Sequence, residues 1–412
     1  MSPKSSHTIV CLSSQPWQDG MWTNKQHIMS RLAAEHRVFY VEPISIPLPR
    51  RLGRGVSRID GERSTSPWER FLDPDHSLID GVHVLRFPRL VPGFVMHLDA
   101  DSPLRIHGDF DVRTRLLRRF LERQSISDAI LWVYHPGYGK GALELPHRLA
   151  VYDCVDEYAE FPAYRDSPSW LLEREEDLCR GVDVVFATSE RIFEQKRDFN
   201  PNNTYLAHNV GDTSHFRRAD DPATPVPDEL ARLPKPVVGF VGAVSPYKLN
   251  FDWIAELAKK KPSWSIALVG PEGVGQKNAS LESLKGIPNV HLLGHRDYAS
   301  LPGYVRGFDV AVIPYVKSRY TESCFPIKFF EFLASGRPVV ISELPALSEY
   351  FDAVHVARSA EEFVELCERA IDGPDSGKAR RLELAASNDW SSRIQKLMEQ
   401  IECRLSPSAK SS

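Results

Sequence analysis

The sequence predicts an α/β protein built as two doubly wound domains, each a parallel sheet with helices on both faces. Three observations carry this reading. Short apolar runs of strand length alternate with stretches of helical period in both halves of the chain. The alternation breaks at the proline-rich segment DDPATPVPDELARLPKP and then starts afresh. At 412 residues the chain also exceeds what one hydrophobic core comfortably organises. The expected layout is a first domain over residues 1–220, a linker over 221–235 and a second domain over 236–388. A terminal helix and tail over 389–412 are placed to cross back to the first domain.

The first half opens with the strand HTIVCLSS, the loop QPWQDGMWTNKQH carrying Gly20, a helix through Leu32 and Ala33, and the strand RVFYVEP. Residues 44–80 are rich in proline, arginine and glycine without a clear period, so a long excursion or partly disordered loop is expected. Strands resume at GVHVLRFP, followed by the helix RTRLLRRFLERQ and the strands AILWVYHPG and LAVYDCVDEY. The helix WLLEREEDLCRG leads to DVVFATS, and TYLAHNV closes the half. The second half reads PVVGFVG, helix NFDWIAELAKKK, SIALVG, VHLLG, helix YASLPGYVRGF, DVAVIPY, and later VHVA with helix AEEFVELCERAI. In WSSRIQKLMEQIECRL the positions Ile394, Leu397, Met398 and Ile401 form one apolar face, and the tail SPSAKSS is expected to be disordered.

Bulk properties exclude several classes. Hydrophobic residues at 42% and charged residues at 26% are ordinary for a globular protein. A formal net charge of -4 argues against a protein that binds nucleic acid by neutralising its backbone. No apolar run reaches the ~18 residues that a membrane-spanning helix needs. The start, MSPKSSHTIVCLSS, lacks the basic-then-apolar pattern of an export signal, so a cytoplasmic protein is expected. Cys11, Cys154, Cys179, Cys324, Cys367 and Cys403 share no ligand spacing. Reduced core thiols and no metal are expected.

The most informative stretch is TESCFPIKFFEFLASGRPVVISELP, residues 321–345. It reads as polar loop, short amphipathic helix, turn and buried strand. Phe325 and Pro326 close the loop, and Ile327, Phe330, Glu331 and Ala334 fall at helical spacing. Gly336 is placed to stop the helix, and Pro338 cannot continue it. A helix starting beyond a strand end points unpaired N–H groups and a positive dipole at its ligand, usually phosphate. Glu331, one turn in, is a charge on an apolar segment and needs a partner. Ribose hydroxyls would serve, and so would Lys328 one turn before it.

The segments FVGAVSPYK, ALVGPEG, VHLLGHRDYASLPGYVRGFDVAVIPY and FPIKFFEFLASGRPVV, in that order, resemble the GT-B glycosyltransferases. VYDCVDEY, FATSE and HNVGDTSHF extend the resemblance through the first half. Within that class the chain is similar to the large retaining group (the family 4 type) that builds bacterial polysaccharides and glycolipids. DCVDE and FPIK resemble its exopolysaccharide and teichuronic-acid-type members. The resemblance implies two Rossmann-like domains facing an interdomain cleft. It implies a hexosyltransferase that moves a sugar from a UDP- or GDP-linked donor to a glycan or lipid-linked acceptor of the cell envelope. Retention of configuration is implied, with a donor phosphate oxygen taking the acceptor proton, and no metal or further cofactor.

Residue by residue, the resemblance maps the donor site to Gly242, Lys248, the helix start at Phe325, Pro326, Ile327 and Lys328, and Glu331 on the ribose. Ala243 stands where the family carries an arginine on the diphosphate, and Arg319 or Lys328 is left to compensate. Of the family's paired glutamates, the second is Glu331. The first falls on Ser323, with Glu322 beside it, and Lys328 replaces a common proline. Asp153 stands near the place of a catalytic-region histidine, so Asp153, Asp156 and His135 are the catalytic candidates, with Gly20 on the acceptor side. Plainer readings stand beside these: Lys248 as a surface lysine, the aspartates as caps, His135 as a turn histidine. The basic segments RRLGRGVSR and RTRLLRRFLER, near ISIPLP and LVPGFVM, suit peripheral docking on the anionic inner face of the plasma membrane. The rival functions are a nucleotide-sugar epimerase of the same fold and a non-catalytic nucleotide-sugar-binding scaffold.

Overall fold

The computed structural model describes residues 6–18, 21–43, 46–47, 56–59, 63–64, 66, 72–89, 103–164, 168–273 and 281–406. Gly20, LVPGFVM, most of RRLGRGVSR and the tail from residue 407 lie outside them. The chain divides into two compact units. One comprises residues 1–188, 192–207 and 396–412, and the other 189–191 and 208–395.

In chain order the first unit contains β1 (Thr8–Leu12), α1 (Asn24–Leu32), β2 (Arg37–Val41), β3 (Asp75–Ile79), β4 (Val82–Arg86), α2 (Pro103–Arg123) and β5 (Ile130–Val133). There follow β6 (Leu149–Cys154), α3 (Pro168–Gly181), β7 (Val184–Ala187), α4 (Glu190–Arg197), which starts in the other unit, and β8 (Thr204–Leu206). The eight strands lie in the order β8-β7-β6-β5-β1-β2-β4-β3. Every neighbouring pair is parallel except β3 and β4. That pair is a hairpin closed by Asp80 (φ 51) and Gly81 (φ 80), two positive-φ residues whose turn matches the twist of the strands it joins. Residues 75–79 were expected within an irregular excursion. The Asp-Gly turn and pairing with Val82–Arg86 make them a strand instead.

Under this sheet a buried ion pair joins Lys196 Nζ to Glu175 Oε2 at 2.8 Å. The Tyr152 hydroxyl donates to Glu175 Oε1 at 2.5 Å, so the charge buried between α3 and α4 is compensated on both oxygens.

The second unit holds β9 (Val237–Val241), α5 (Phe251–Lys260), β10 (Ser265–Val269), β11 (Val290–Gly294), α6 (Leu301–Gly307) and β12 (Val310–Ile313). After them come α7 (Arg319–Ser323), α8 (Ile327–Ala334), β13 (Val339–Ser342), β14 (His355–Ala357), α9 (Ala360–Asp372) and α10 (Lys378–Ser387). Its sheet is all parallel in the order β11-β10-β9-β12-β13-β14. Strands β9, β10, β12 and β13 are buried along their whole length, as their valine- and isoleucine-rich sequences demand for a sheet covered on both faces. Sequence order reverses between β9 and β12, and in open α/β sheets ligands bind beyond the strand ends at such a reversal.

Residues 208–220, expected in the first domain, group with the second unit, where Phe216 and Ala219 are buried in its core. Residues 221–235, expected as a linker, are also part of it. Leu230 is buried there, the Arg306 guanidinium donates to the Asp221 carbonyl at 2.8 Å, and Arg296 pairs with Glu229 at 2.7 Å. The last helix, α11 (Trp390–Leu405), buries Trp390, Arg393, Leu397, Ile401 and Leu405 on one face, and its residues from 396 onward belong to the first unit.

Candidate functional site

At the sheet reversal of the second unit, β9 runs out into Gly242, whose N–H donates to the Val269 carbonyl at 2.9 Å. The chain then turns at Ser245, whose carbonyl accepts from the N–H groups of Lys248 (3.0 Å) and Leu249 (2.9 Å). This loop is laced to the loop after β12. Asn250 N–H donates to Pro314 O at 2.7 Å, and Val316 N–H donates to Lys248 O at 2.9 Å. The Lys248 ammonium lies 5.4 Å from the centre of the Tyr320 ring and 6.0 Å from that of Tyr315, within cation–π range of both. The Ser245 hydroxyl is buried and has no partner among the described residues. Gly242 and Lys248 therefore share one strand-end loop.

The polar loop expected before Phe325 is helical at its start. Ser318 caps α7 by accepting from Thr321 N–H at 3.3 Å, and α7 and α8 are separated by Cys324, Phe325 and Pro326. Ser323 is fully buried, its hydroxyl donating to the Arg319 carbonyl at 3.2 Å and its own carbonyl accepting from Ser189 Oγ at 2.8 Å. Glu322 accepts from Arg191 at 2.9 Å. Ser323 and Glu322 are thus both tied to the segment 189–191.

Glu331 is the chemical centre of α8. It is fully buried, and its Oε2 accepts from Lys328 Nζ at 2.7 Å. Oε1 has no partner among the described residues. Burial pushes the carboxyl up from its ordinary value, the Lys328 ammonium pulls it down, and the more distant Asp212 and His215 act in opposite senses. The plainer pairing with Lys328 is present on Oε2. A buried acceptor left unsatisfied costs about 1–3 kcal/mol, which a ligand hydroxyl would recover. α8 itself starts at Pro326 without a side-chain cap.

Residues 208–216 run along the start of α8. Asn209 Nδ2 donates to the Phe325 carbonyl at 2.7 Å and its Oδ1 accepts from Arg393 at 3.1 Å, while the His208 ring stacks on Phe325 at 4.9 Å. At Gly211 an added Cβ would stand 2.8 Å from the Glu331 backbone nitrogen, so glycine alone lets the two segments pass this closely. His215 stacks on Tyr298 at 4.6 Å and its Nε2–H donates to the Tyr298 carbonyl at 2.9 Å. The Tyr298 hydroxyl reaches Asp212 at 3.3 Å. In the sequence HNVGDTSHF is legible only as a strand-end segment, with none of these residues singled out. The signal was there, in polar and aromatic side chains around a glycine just beyond a strand.

In the first unit, His135 follows β5 at that sheet's own reversal, between β5 and β1. Its Nδ1 accepts from Gly137 N–H at 2.9 Å, so the proton sits on Nε2, 2.7 Å from the Tyr164 hydroxyl. Phe110 and Tyr158 pack on the ring at 4.8 and 4.9 Å. Burial, then Arg113 and Lys25, hold its pKa down at about 3, which leaves a neutral imidazole with both nitrogens engaged. Asp153 is buried at the end of β6. It raises and Lys25 lowers the Cys11 thiol, whose pKa burial already pushes well up. Asp156, partly exposed in the next loop, raises the buried Tyr158 hydroxyl, which donates to Ser14 at 3.0 Å. Around the ends of β5 and β6 the fold thus collects His135, Tyr158, Tyr164 and Asp156.

The six cysteines are free, five buried and Cys403 exposed. Among the described residues no helix is long and apolar enough to cross a membrane.

Residues 235–372 match the family model "Glycosyl transferases group 1". The chain is 34% identical over 173 residues to a putative teichuronic acid biosynthesis glycosyltransferase, TuaH, of Bacillus subtilis (strain 168). The match covers 40% of this chain and 42% of that protein, so it spans less than half the length of either. Two solved structures share the fold nearly end to end. One is a UDP-forming α,α-trehalose-phosphate synthase from Burkholderia xenovorans (TM-score 0.69, 13% identity, 97% of this chain and 99% of that one). The other is HepE of Anabaena in complex with UDP and glucose (TM-score 0.64, 14% identity, 97% and 100%). Over residues 235–372 the chain is thus similar to the glycosyl transferases group 1 family, and nearly end to end it shares the fold of these solved structures.

Proposed function

We propose that the protein transfers a sugar from a nucleotide-sugar donor to a glycan or lipid-linked acceptor of the bacterial cell envelope, with retention of configuration. The observation that carries this is Glu331: a fully buried carboxylate with one oxygen unpaired among the described residues, one turn into a helix whose start has no side-chain cap, within residues that match a glycosyl transferases group 1 domain. In this reading Glu331 takes a ribose hydroxyl, while Lys248 and the first amides of α8 face the diphosphate. The donor phosphate oxygen leaves carrying the acceptor proton, so no side chain need serve as a strong base. Asp153 and Asp156 orient the acceptor and stabilise positive charge at the anomeric carbon. His135, neutral and bonded through both nitrogens, braces that region. The complex of the Anabaena relative with UDP and glucose, and the UDP-forming synthase, favour UDP as the carrier. Docking on the anionic inner face of the plasma membrane is the further part of this reading, motivated by the basic segments RRLGRGVSR and RTRLLRRFLER.

Calorimetry with UDP and GDP tests the donor site. One of them should bind, and Glu331→Gln should weaken it by about tenfold or more, the loss of a charge-assisted hydrogen bond. Labelled UDP-glucose and GDP-mannose, incubated with bacterial lipid and polysaccharide extracts, then test transfer. Label should move to the extract with release of free nucleoside diphosphate. Conversion of donor alone to an epimer would favour the epimerase, and binding without turnover the scaffold.

A further inference from the structure

The first unit buries a lysine where a lysine is doubly costly. Lys25 is 5% exposed and stands in the first turn of α1, at the helix end whose dipole is positive. A buried cation there needs a carboxylate, and the strand registers point to one. Leu12, Val133 and Tyr152 stand side by side on β1, β5 and β6. One residue on, Ser13, Tyr134 and Asp153 form the next row, which faces the opposite side of the sheet from Tyr152. The Lys25 ammonium lies 5.5 Å from the centre of the Tyr134 ring, the middle member of that row. Asp153 is fully buried beside Tyr134, one strand spacing of about 4.8 Å away.

Among the described residues of the first unit three carboxylates are buried: Glu42, Asp153 and Glu175. Glu42 pairs with Arg86 at 3.0 Å and Glu175 with Lys196 at 2.8 Å. Lys25 is the buried cation on the face of Asp153. Both also act on the thiol of Cys11, two residues before Ser13 and so on that same face, Lys25 lowering its pKa and Asp153 raising it.

We infer that Lys25 is a positioning residue for Asp153: from above the Tyr134 ring it supplies the positive charge that keeps this buried carboxyl ionised at the strand end. The inference rests on the transferase reading above, in which Asp153 stabilises charge at the anomeric carbon. It goes beyond that reading by naming the group that holds the carboxylate in its working state.

The test measures transfer from labelled UDP-glucose or GDP-mannose to the accepting extract against pH, beside urea unfolding of the full chain. Lys25→Met keeps the buried stem and removes the charge. Near neutral pH its turnover should fall by about tenfold with the nucleotide Kd unchanged, and Lys25→Arg should recover most of the loss. The deficit of Lys25→Met should shrink between about pH 6 and about pH 8, because a buried carboxyl without its cation ionises later.

Other groups around this carboxyl titrate elsewhere or face away. Burial pushes the Cys11 thiol and the Tyr158 hydroxyl well up, and His135 is held at about 3. Phe186, beside Asp153 on β7, is apolar, and His27, two residues past Lys25 on α1, lies against Arg31 and Trp22. The pH limb should therefore vanish in Lys25→Met/Asp153→Asn. Turnover of that double variant should be no lower than that of Asp153→Asn alone, and its urea midpoint should recover much of what Lys25→Met loses. Losses that simply add in the double variant overturn the inference, as does a Lys25→Met pH profile parallel to the wild type. If the wild type transfers from neither donor, or Asp153→Asn keeps full turnover, the catalytic reading fails, while the midpoints of the single and double variants still decide the pairing.

Discussion

The side-chain amide of Asn209 donates to the Phe325 carbonyl at 2.7 Å, and through its oxygen the same side chain accepts from Arg393. One buried asparagine thereby ties the segment beyond β8 to the residue before α8. Asn209→Ala leaves a buried carbonyl and a buried guanidinium each short of a partner. It should destabilise the second unit by about 1–3 kcal/mol, read as a lower urea midpoint of that transition. Nucleotide affinity should fall with it, since the start of α8 loses its support. An unchanged midpoint would count against the strap.

His135 gives a pH signature. In the unfolded chain it titrates near 6.5, while in the fold its pKa is about 3. The folded state therefore binds fewer protons throughout that interval. Its contribution is complete above pH about 6.5 and is lost as pH falls towards the folded value, at roughly 1.4 kcal/mol per pH unit. His135→Asn keeps an acceptor for Gly137 N–H and cannot titrate. Between pH about 7 and about 5 its unfolding midpoint should drop less steeply than that of the wild type. Parallel slopes would show that the histidine is not the group responsible.

Asp153 separates binding from chemistry. Asp153→Asn keeps the volume at the end of β6 and removes the charge. Turnover should fall by roughly a hundredfold while the Kd for the nucleotide, proposed to bind the other unit, does not move. A variant with full turnover would return Asp153 to a structural role.

The pair Lys196–Glu175 predicts a stability effect with no functional one. Lys196→Met strands a buried carboxylate and should cost about 3–5 kcal/mol. Adding Glu175→Leu should recover much of that loss, because two apolar side chains in the same space leave no charge to solvate. Denaturant unfolding of the single and double variants measures both.

Much of this was legible in the sequence, because the strands that matter are buried on both faces and so are apolar throughout. VVGFV, SIALV, VAVI and VVIS were readable as parallel strands for that reason, and Gly336 stops α8 where expected, with φ 70. The hairpin β3–β4 was lost although Asp80-Gly81 is a strong turn signal, since the surrounding arginines and prolines masked the alternation of Asp75–Ile79. Among the site candidates, Glu331 could be read from its place as a charge on an apolar helix, while Gly242 and Lys248 came from the resemblance. The partners on Asn209, Asp212, His215 and Tyr298 could not. They depend on which unit residues 208–216 fold against, and a strand-end loop carries no mark of that. The pairing of Lys328 with Glu331 was visible as a helical spacing, but that it leaves the other, buried oxygen without a partner among the described residues is a property of the packing.

The lacing between the loops after β9 and β12 also bears on when the site comes into being. Lys248, Asn250, Pro314 and Val316 meet only when those two strands are neighbours, and β10 and β11 are made between them in the chain. The loop after β9 is therefore held by long-range contacts, whose closure carries a large loop entropy. Its amides should open and close as one cooperative unit, so that Asn250 and Val316 exchange hydrogen together and slow together when nucleotide is added.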